Sequence, residues 1–294
     1  MRNLFFTDKI ILKILWEAIL INLYLSDLDG TLLNNQSNLS KFTKENLLKL
    51  IDKGLIFSVA TARTAATVTD IFKDIPITSG ILMNGAVIFD FKKEKYIKTH
   101  LIPSDTAFSI LKILNHYPVS PFVYTIKDKY LNVYHKALTK DYQIQFYNQR
   151  ASRRLKKFFE ISYYKDIPSL ENILYFCILT DKNTAEDISE KIKTIQNTAI
   201  ISYKDIHNDF YYVEIMSPYA SKASGALWLK DYLNADTLTA FGDNLNDISL
   251  LKIADKKICV SNAVSQVKEI CDEITEDNNN DGVIKYIMKN SINF

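Results

Sequence analysis

Several residue types and patterns are scarce in this chain of 294 residues. Its three cysteines, Cys177, Cys259 and Cys271, are too few and too widely spaced for a disulfide framework or a CxxC zinc knuckle. They are typical of buried thiols in a reducing, cytoplasmic setting, which we therefore expect. The four histidines never pair at metal-ligand spacing, which argues against a histidine-based zinc site. The 36 basic and 34 acidic residues nearly balance, which argues against a nucleic-acid-binding protein.

A long uncharged apolar run is also missing. The nearest approach, residues 10–25, contains Lys13, Glu17 and Asn22 and lacks a small-residue cleavage site, which argues against a signal peptide and against a stable membrane span. Lys13 and Glu17 are four residues apart and would share one helix face, so we expect an amphipathic helix in an N-terminal extension, residues 1–21. This extension is either a docking helix or lies before the true start codon. We favour the second, and the N-terminal mass of protein from its native source distinguishes the two.

Glycine is rare as well, with 7 residues where about 7% of a chain is usual. A chain that uses so little glycine is expected to place each one where the backbone requires it. Gly30, Gly85 and Gly242 adjoin polar residues that follow apolar runs. Such positions are typical of active-site loops in α/β folds.

The length and the pattern of elements predict an α/β fold in two parts. A single core rarely exceeds about 250–300 residues, so we expect two domains or one domain with a large insertion. Strand and helix patterns alternate in residues 22–86 and again in 209–294, which predicts one parallel-sheet domain. Residues 87–208 carry more frequent, aromatic strand patterns and are interpreted as an inserted α+β domain, with a helix predicted over 136–146.

Two carboxylates follow the first predicted strand, residues 22–26, in the motif Asp27-Leu28-Asp29-Gly30-Thr31. Unpaired carboxylates this close together would repel each other, and burial would be costly. Ligands of open parallel sheets bind beyond the carboxyl ends of strands, and an oxygen-ligated Mg²⁺ would offset the charge there. The alternative is an acidic loop in which an Asp caps the next helix.

The motif Gly242–Asp247 (GDNLND) repeats this arrangement after another predicted strand, residues 238–241. Taken alone, it could be an Asx-rich turn that caps the following helix. Two such motifs on two strands of one sheet make a shared cation site the better explanation.

Two further positions suggest phosphate binding. Thr61-Ala62-Arg63 ends the second predicted strand, where a hydroxyl and backbone N–H groups can hold a phosphate, although Thr61 could simply cap a helix. Lys222 begins a predicted helix and could bind phosphate as a point charge, although by itself it is more typical of a surface lysine.

Taken in their order along the chain, these motifs resemble the haloacid dehalogenase superfamily. The long insert between the Thr61–Arg63 motif and Lys222 resembles the type IIB, Cof-like phosphatases of that superfamily. The resemblance covers residue 22 to the end of the chain and implies a Rossmann-like parallel-sheet core with an inserted α/β cap of the C2B type. It rests on DLDGTLL (Asp27–Leu33), ATAR (Ala60–Arg63), NGA (Asn84–Ala86), Lys222 and GDNLND (Gly242–Asp247), with NA (Asn262–Ala263) and DGV (Asp281–Val283) nearby.

The resemblance also implies roles for individual residues. Asp27 would be the nucleophile that forms an aspartyl-phosphate, and Asp29 would act as general acid and then as general base. Metal binding is implied for Asp27, Asp29 (through its backbone carbonyl), Asp243 and Asp247, with Mg²⁺ as the cofactor. Phosphate binding is implied for Leu28, Thr61, Ala62, Arg63, Asn84, Lys222 and Asn246. The family often has glycine where this chain has Ala62, but alanine keeps the backbone N–H.

The expected function is therefore Mg²⁺-dependent hydrolysis of a small phosphorylated metabolite, either a sugar phosphate or a phosphorylated cofactor, by a monomer or homodimer. A phosphomutase that returns the phosphoryl group to a sugar is the alternative. A non-catalytic, metabolite-binding regulator is less favoured, because the groups expected to be catalytic are all present.

Substrate identity is expected to lie in the insert. Its aromatic residues could stack a substrate ring, although most are expected to be core: Tyr124, Tyr130, Tyr134, Tyr142, Phe146 and Tyr147. A basic run is read either as a solvated face, which we favour, or as a contact with a second substrate phosphate: Arg150, Arg153, Arg154, Lys156 and Lys157.

Overall fold

The computed structural model describes residues 20–205 and 208–290. Its strands are β1 (Asn22–Ser26), β2 (Ile56–Ala60), β3 (Ser79–Leu82), β4 (Val87–Asp90), β5 (Lys95–Thr99), β6 (Phe122–Lys127), β7 (Tyr130–His135), β8 (Lys156–Glu160), β9 (Ile173–Thr180), β10 (Ala199–Lys204), β11 (Tyr211–Met216), β12 (Thr237–Gly242), β13 (Lys256–Val260) and β14 (Glu273–Thr275). Its α-helices are α1 (Lys41–Asp52), α2 (Ala65–Ile71), α3 (Ser104–Leu114), α4 (Asp141–Asn148), α5 (Lys182–Ile192), α6 (Lys222–Tyr232), α7 (Ile248–Ile253), α8 (Ser265–Lys268) and α9 (Gly282–Asn290).

The chain forms two compact units, one made of the described residues up to 59 and from 226 onward, the other of residues 60–225. In the first unit the strands lie parallel in the order β14-β13-β12-β1-β2. β1 and β12 are almost entirely buried, as parallel strands covered on both faces should be. The register pairs Ser26 with Phe241, so these two strands end at the same level. This register is what brings the two acidic motifs together.

Helix α1 follows the first acidic motif. Ser40 caps its N-terminus by accepting a hydrogen bond from the Thr43 backbone N–H at 2.9 Å. The helix ends before Gly54, whose φ of +103° is a conformation that favours glycine.

The second unit contains a six-stranded sheet in the order β10-β11-β9-β6-β7-β8, antiparallel except for the β7–β8 pair. Side chains alternate between the two faces of this sheet. Apolar side chains of one face, such as Val123, Phe176 and Val213, pack in a cluster with α3 and α5. Their neighbours in sequence, such as Tyr124 and Glu214, lie on the opposite face, which lines a cavity.

Several elements of the second unit differ from the sequence analysis. The helix predicted over 136–146 is present but begins later, because α4 spans Asp141–Asn148. Strands β4, β5, β8 and β10 were not predicted. Of these, β8 and β10 lie at the ends of the six-stranded sheet, where edge strands carry many polar residues and do not show a regular apolar pattern.

Within residues 20–205 and 208–290, no helix is long and apolar enough to cross a membrane. The helix predicted in residues 1–21 falls almost entirely outside the described residues. The predicted boundaries, with a core of residues 22–86 and 209–294 and an insert of 87–208, remain a prediction.

Candidate functional site

An acidic cluster lies where β1 and β12 end. Carboxylate oxygens of Asp27, Asp243 and Asp247 are all within 4.8 Å of one another. Asp27 follows β1 directly, and its backbone N–H donates to the Phe241 carbonyl of β12 at 3.0 Å. Because both motifs leave parallel strands of matched register at the same edge, their carboxylates converge there.

Asp247 is wholly buried and is held by the backbone of its own turn. Its Oδ2 atom accepts hydrogen bonds from the N–H groups of Asp243 at 3.0 Å and Asn244 at 3.1 Å. The motif therefore places one carboxylate where it orders the turn that carries another.

The Gly30–Thr31 turn holds Asp243 from the other side. The Thr31 hydroxyl donates to Oδ1 of Asp243 at 2.6 Å. Gly30 has a φ of +80°, and a methyl group at this position would lie 2.6 Å from Oδ2 of Asp243. Only glycine permits both this backbone conformation and this close approach.

Two other residues expected at this site are exposed. The Asp29 side chain is exposed and does not belong to the acidic cluster, although Asp29 lies only two residues beyond Asp27. Asn246 is exposed as well, in the turn that carries Asp247. Leu28 is buried, and its carbonyl accepts hydrogen bonds from the N–H groups of the turn that follows.

In the second unit, Thr61 organises the loop that follows β2. Thr61 is buried, and its hydroxyl oxygen accepts a hydrogen bond from the Arg63 backbone N–H at 3.2 Å. Its carbonyl accepts from the Asn84 N–H at 3.0 Å, and the Met83 N–H donates to the Arg63 carbonyl at 3.1 Å. Ala62, between them, is exposed. Backbone hydrogen bonds therefore connect the ATAR motif (Ala60–Arg63) to the NGA motif (Asn84–Ala86).

Lys222 begins α6 and is 2% exposed, so the surface-lysine alternative is wrong. Ser221 caps this helix, with its hydroxyl oxygen accepting from the Ser224 N–H at 2.9 Å. The Asn84–Ala86 loop packs against this helix start: a methyl group on Gly85 would lie 2.1 Å from the Ser221 carbonyl oxygen. The close approach of Gly85 to Ser221 thus helps to fix the backbone position of the next residue, Lys222.

Replacing Gly85 by alanine is expected to destabilise the protein by about 3 kcal/mol or more, because the new methyl group would overlap Ser221 and the φ of +94° would strain alanine. Gly54→Ala is the matched control, since Gly54 has a φ of +103° but no atom within 4 Å of the added group. It should cost only about 1 kcal/mol. Urea unfolding measures both, and equal losses would show that the contact with Ser221 contributes nothing.

The face of the six-stranded sheet opposite α3 and α5 lines a cavity of about 360 Å³. Arg63 and Thr64 line it, together with Arg150 and Lys156 of the predicted insert and Glu214 of β11. Of the aromatic residues considered above, Tyr124 and Phe146 line the cavity, whereas Tyr130 and Tyr134 line a separate pocket. The cavity thus joins the Thr61–Arg63 loop to the polar face of the sheet.

A lysine and a glutamate are among the buried side chains that line this cavity. Burial and the charges of Arg150 and Arg153 lower the pKa of Lys156 to about 7. Burial raises the pKa of Glu214, although the hydroxyls of Tyr175 and Tyr203 oppose that shift.

Sequence reasoning missed Glu214. The one available signal was a glutamate at an inward position of an otherwise apolar strand, YYVEIM in β11. A glutamate in such a pattern is rarely buried without a polar partner.

A family model described as haloacid dehalogenase-like hydrolase matches residues 24–287. Among curated proteins, the chain is similar to a 5-amino-6-(5-phospho-D-ribitylamino)uracil phosphatase of Bacillus subtilis, with 24% identity over 283 residues, which covers 89% of this chain and 95% of that protein.

Two solved structures have the same fold. One is a haloacid dehalogenase-like hydrolase from Bacteroides thetaiotaomicron, with a TM-score of 0.76 at 19% identity, covering 92% of this chain and 99% of that chain. The other is a sugar phosphatase of haloacid dehalogenase subclass IIB, with a TM-score of 0.70 at 19% identity and the same coverage of 92% and 99%. The predicted fold, a Rossmann-like α/β core with an inserted α/β cap, is confirmed by this likeness.

Proposed function

Because this chain belongs to the haloacid dehalogenase-like hydrolases, we propose that it hydrolyses phosphate monoesters through a covalent intermediate on Asp27. The family model and the similar phosphatases confirm the resemblance to the type IIB, Cof-like phosphatases. The chain is therefore a phosphatase that acts on a small phosphorylated metabolite. The observation that carries the mechanistic proposal is the convergence of the Asp27, Asp243 and Asp247 carboxylate oxygens within 4.8 Å.

In the first step, a carboxylate oxygen of Asp27 attacks phosphorus while the bond from phosphorus to the leaving oxygen breaks. Asp29 donates its proton to that oxygen, which departs as a neutral hydroxyl group. In the second step, Asp29 removes a proton from a water molecule, whose oxygen attacks phosphorus. The bond to Asp27 then breaks and phosphate is released. The burial of Asp27 and the exposure of Asp29 support the assignment of Asp27 as nucleophile and Asp29 as acid and base, because the acid must exchange its proton with water.

The donor set of the acidic cluster fits Mg²⁺. Hard cations prefer oxygen ligands, and three clustered carboxylates repel one another unless a cation lies among them. We propose that the Asp27 and Asp243 carboxylates and the Asp29 carbonyl hold the ion, with Asp247 ordering the turn that carries Asp243. When bound, Mg²⁺ would offset negative charge on the phosphoryl group.

Phosphoryl oxygens are the proposed ligands of a second set of groups. The motifs and the burial of Thr61 and Lys222 support it, because a buried hydroxyl and a buried ammonium bind anions more strongly than exposed ones. The proposed set is the backbone N–H of Leu28 and Ala62 with the side chains of Thr61, Arg63, Asn84, Lys222 and Asn246. Fixed donors of this kind supply most of the catalysis in phosphoryl transfer.

The proposed substrate is a sugar phosphate or a phosphorylated cofactor. The curated relative from Bacillus subtilis is named for a phosphorylated ribitylaminouracil, which makes that compound one member of the panel to be tested. A phosphomutase is the alternative, in which a sugar hydroxyl replaces water in the second step.

Free phosphate released from p-nitrophenyl phosphate and from a panel of phosphorylated metabolites tests this proposal. We expect release from p-nitrophenyl phosphate and from at least one sugar phosphate or phosphorylated cofactor. Isomerised sugar phosphate without net phosphate release would favour the phosphomutase. No turnover of any compound, by protein that unfolds cooperatively, would contradict both.

We also propose a cytoplasmic enzyme that works as a monomer or homodimer. Cys177 and Cys259 are buried free thiols, which is typical of proteins from a reducing compartment. Light scattering of the purified chain and fractionation of its native cells measure the two properties.

A further inference from the structure

The cavity of the second unit contains cationic side chains without acidic partners. Lys156 is 6% exposed, and in the part of the chain that the structure describes it makes no ion pair. Its Nζ atom lies 5.6 Å from the centre of the Tyr124 ring and 6.0 Å from that of Phe158. A buried ammonium among aromatic rings is costly unless an anion joins it.

Arg150 adds a second cation to the same cavity. Its guanidinium stacks on Phe146, 3.9 Å from the ring centre, and donates to the Phe146 carbonyl at 3.2 Å and to the Gln149 side chain at 3.1 Å. These contacts orient the guanidinium but leave its charge uncompensated. Arg153 differs, because it pairs with Asp70 at 2.6 Å.

Glu214 is the one carboxylate that lines this cavity among the described residues, and it does not neutralise these cations. Its Oε1 atom accepts a hydrogen bond from the Tyr203 hydroxyl at 3.1 Å. No ion pair joins Glu214 to Lys156 or Arg150 within residues 20–205 and 208–290. The cavity therefore keeps an excess of positive charge on its inner face.

The two other residues of the basic run, Arg154 and Lys157, make contacts outside the cavity. Arg154 pairs with Glu94, and Lys157 is exposed with its Nζ atom 3.9 Å from the centre of the Tyr130 ring. Lys156 and Lys157 are neighbours in β8 and so project from opposite faces of the sheet. The expectation of a solvated basic face is thus wrong for Lys156.

Building on the proposed phosphatase function, we propose that the substrate carries a second anionic group, a carboxylate or a second phosphate, which Lys156 and Arg150 bind. This group would bind in the cavity that the Ala62–Thr64 loop lines together with the six-stranded sheet. Binding supplies the anion that the buried Lys156 lacks, so the enzyme selects substrates with two anionic groups over those with one.

Three matched pairs of substrates test this selection: glucose 6-phosphate with 6-phosphogluconate, fructose 6-phosphate with fructose 1,6-bisphosphate, and glycerol 3-phosphate with 3-phosphoglycerate. In at least one pair we expect the doubly anionic member to have a kcat/KM about tenfold higher or more. Lys156→Met and Arg150→Gln should each remove most of that ratio. Lys157→Met, the matched control, should leave the ratio and the hydrolysis of p-nitrophenyl phosphate unchanged.

The pH profile separates charge from packing. The Lys156 ammonium is expected to lose its proton as the pH rises through about 7, so the ratio within the preferred pair should fall over that range. The charges of Arg150, Arg153 and Cys177 act on Lys156, and the rings of Tyr124 and Phe158 flank its Nζ atom. Burial raises the pKa values of Cys177 and Tyr124, so neither titrates there. Burial also raises the pKa of Glu214, which lines the same cavity, and the Lys156→Met variant separates its contribution from that of Lys156. Lys156→Met should make the ratio independent of pH.

Binding provides a readout that does not need turnover. Isothermal titration calorimetry with the Asp27→Asn protein should show tighter binding of the doubly anionic member, and Lys156→Met in that background should remove the difference. Equal kcat/KM and equal affinity within all three pairs would overturn this inference while the phosphatase proposal stands. Protein that hydrolyses nothing but binds the doubly anionic compounds through Lys156 would support the inference and contradict the phosphatase proposal.

Discussion

Asp27→Asn is expected to lower phosphatase activity by about 10³-fold or more, because an amide cannot form the covalent bond to phosphorus. Asparagine keeps the size of the side chain, and the backbone hydrogen bond from Asp27 to Phe241 does not depend on the carboxylate. The fold should therefore persist, with a thermal midpoint near that of the unmodified protein. Phosphate release from p-nitrophenyl phosphate measures the loss, and circular dichroism measures the fold.

Asp52→Asn is the control, because Asp52 is an exposed carboxylate at the end of α1 and its replacement should leave phosphatase activity unchanged.

Asp29→Asn gives a second test of the covalent step. The leaving group of p-nitrophenyl phosphate, p-nitrophenolate, departs without protonation. The variant should therefore still transfer the phosphoryl group to Asp27, but it lacks the base that activates water for the second step. Mass spectrometry should then find one added phosphoryl group on Asp27. Near-normal activity of Asp27→Asn, or a phosphoryl group on another residue, would refute the nucleophile assignment.

Removal of divalent cations with EDTA is expected to lower activity by about 10²-fold or more, and added MgCl₂ should restore it. The reason is the acidic cluster: without a cation, Asp27 and Asp243 would repel both each other and the phosphoryl group. Mg²⁺ should also raise the thermal midpoint, since a ligand at about 100 times its Kd stabilises a fold by about 2.7 kcal/mol.

Asp243→Asn should abolish this thermal shift, because it removes a charged ligand while the Thr31 hydroxyl can still donate to the amide oxygen. Asp52→Asn should keep the shift. Full activity in EDTA, or an undiminished Mg²⁺ shift in the Asp243 variant, would show that the cluster does not hold a cation.

The acidic cluster was accessible to sequence reasoning because it depends on local features. Asp27 and Asp243 each follow a short apolar run, and parallel strands carry their C-terminal residues to one edge of the sheet. The register that pairs Ser26 with Phe241 then places the two strand ends, and the carboxylates that follow them, at the same level. The position of Asp247 against the backbone of its own turn was not predicted, because a carboxylate in an Asx-rich turn can face either the turn or solvent.

The inner face of the cavity was not accessible in the same way. Lys156 belongs to a run of basic residues, and β8 is an edge strand without a clear apolar pattern, so nothing local distinguished it from Lys157. Whether a side chain of this sheet is buried depends on which face α3 and α5 cover and on what lies across the other face.

The order of motifs along the chain was thus enough to predict the family, the fold and the acidic cluster, since each depends on residues adjacent in sequence to a strand end. Only the tertiary structure decided which cation of the basic run is buried. Burial is a property of the packed sheet as a whole, and the pKa of an amine responds to that burial and to charges brought in from distant segments.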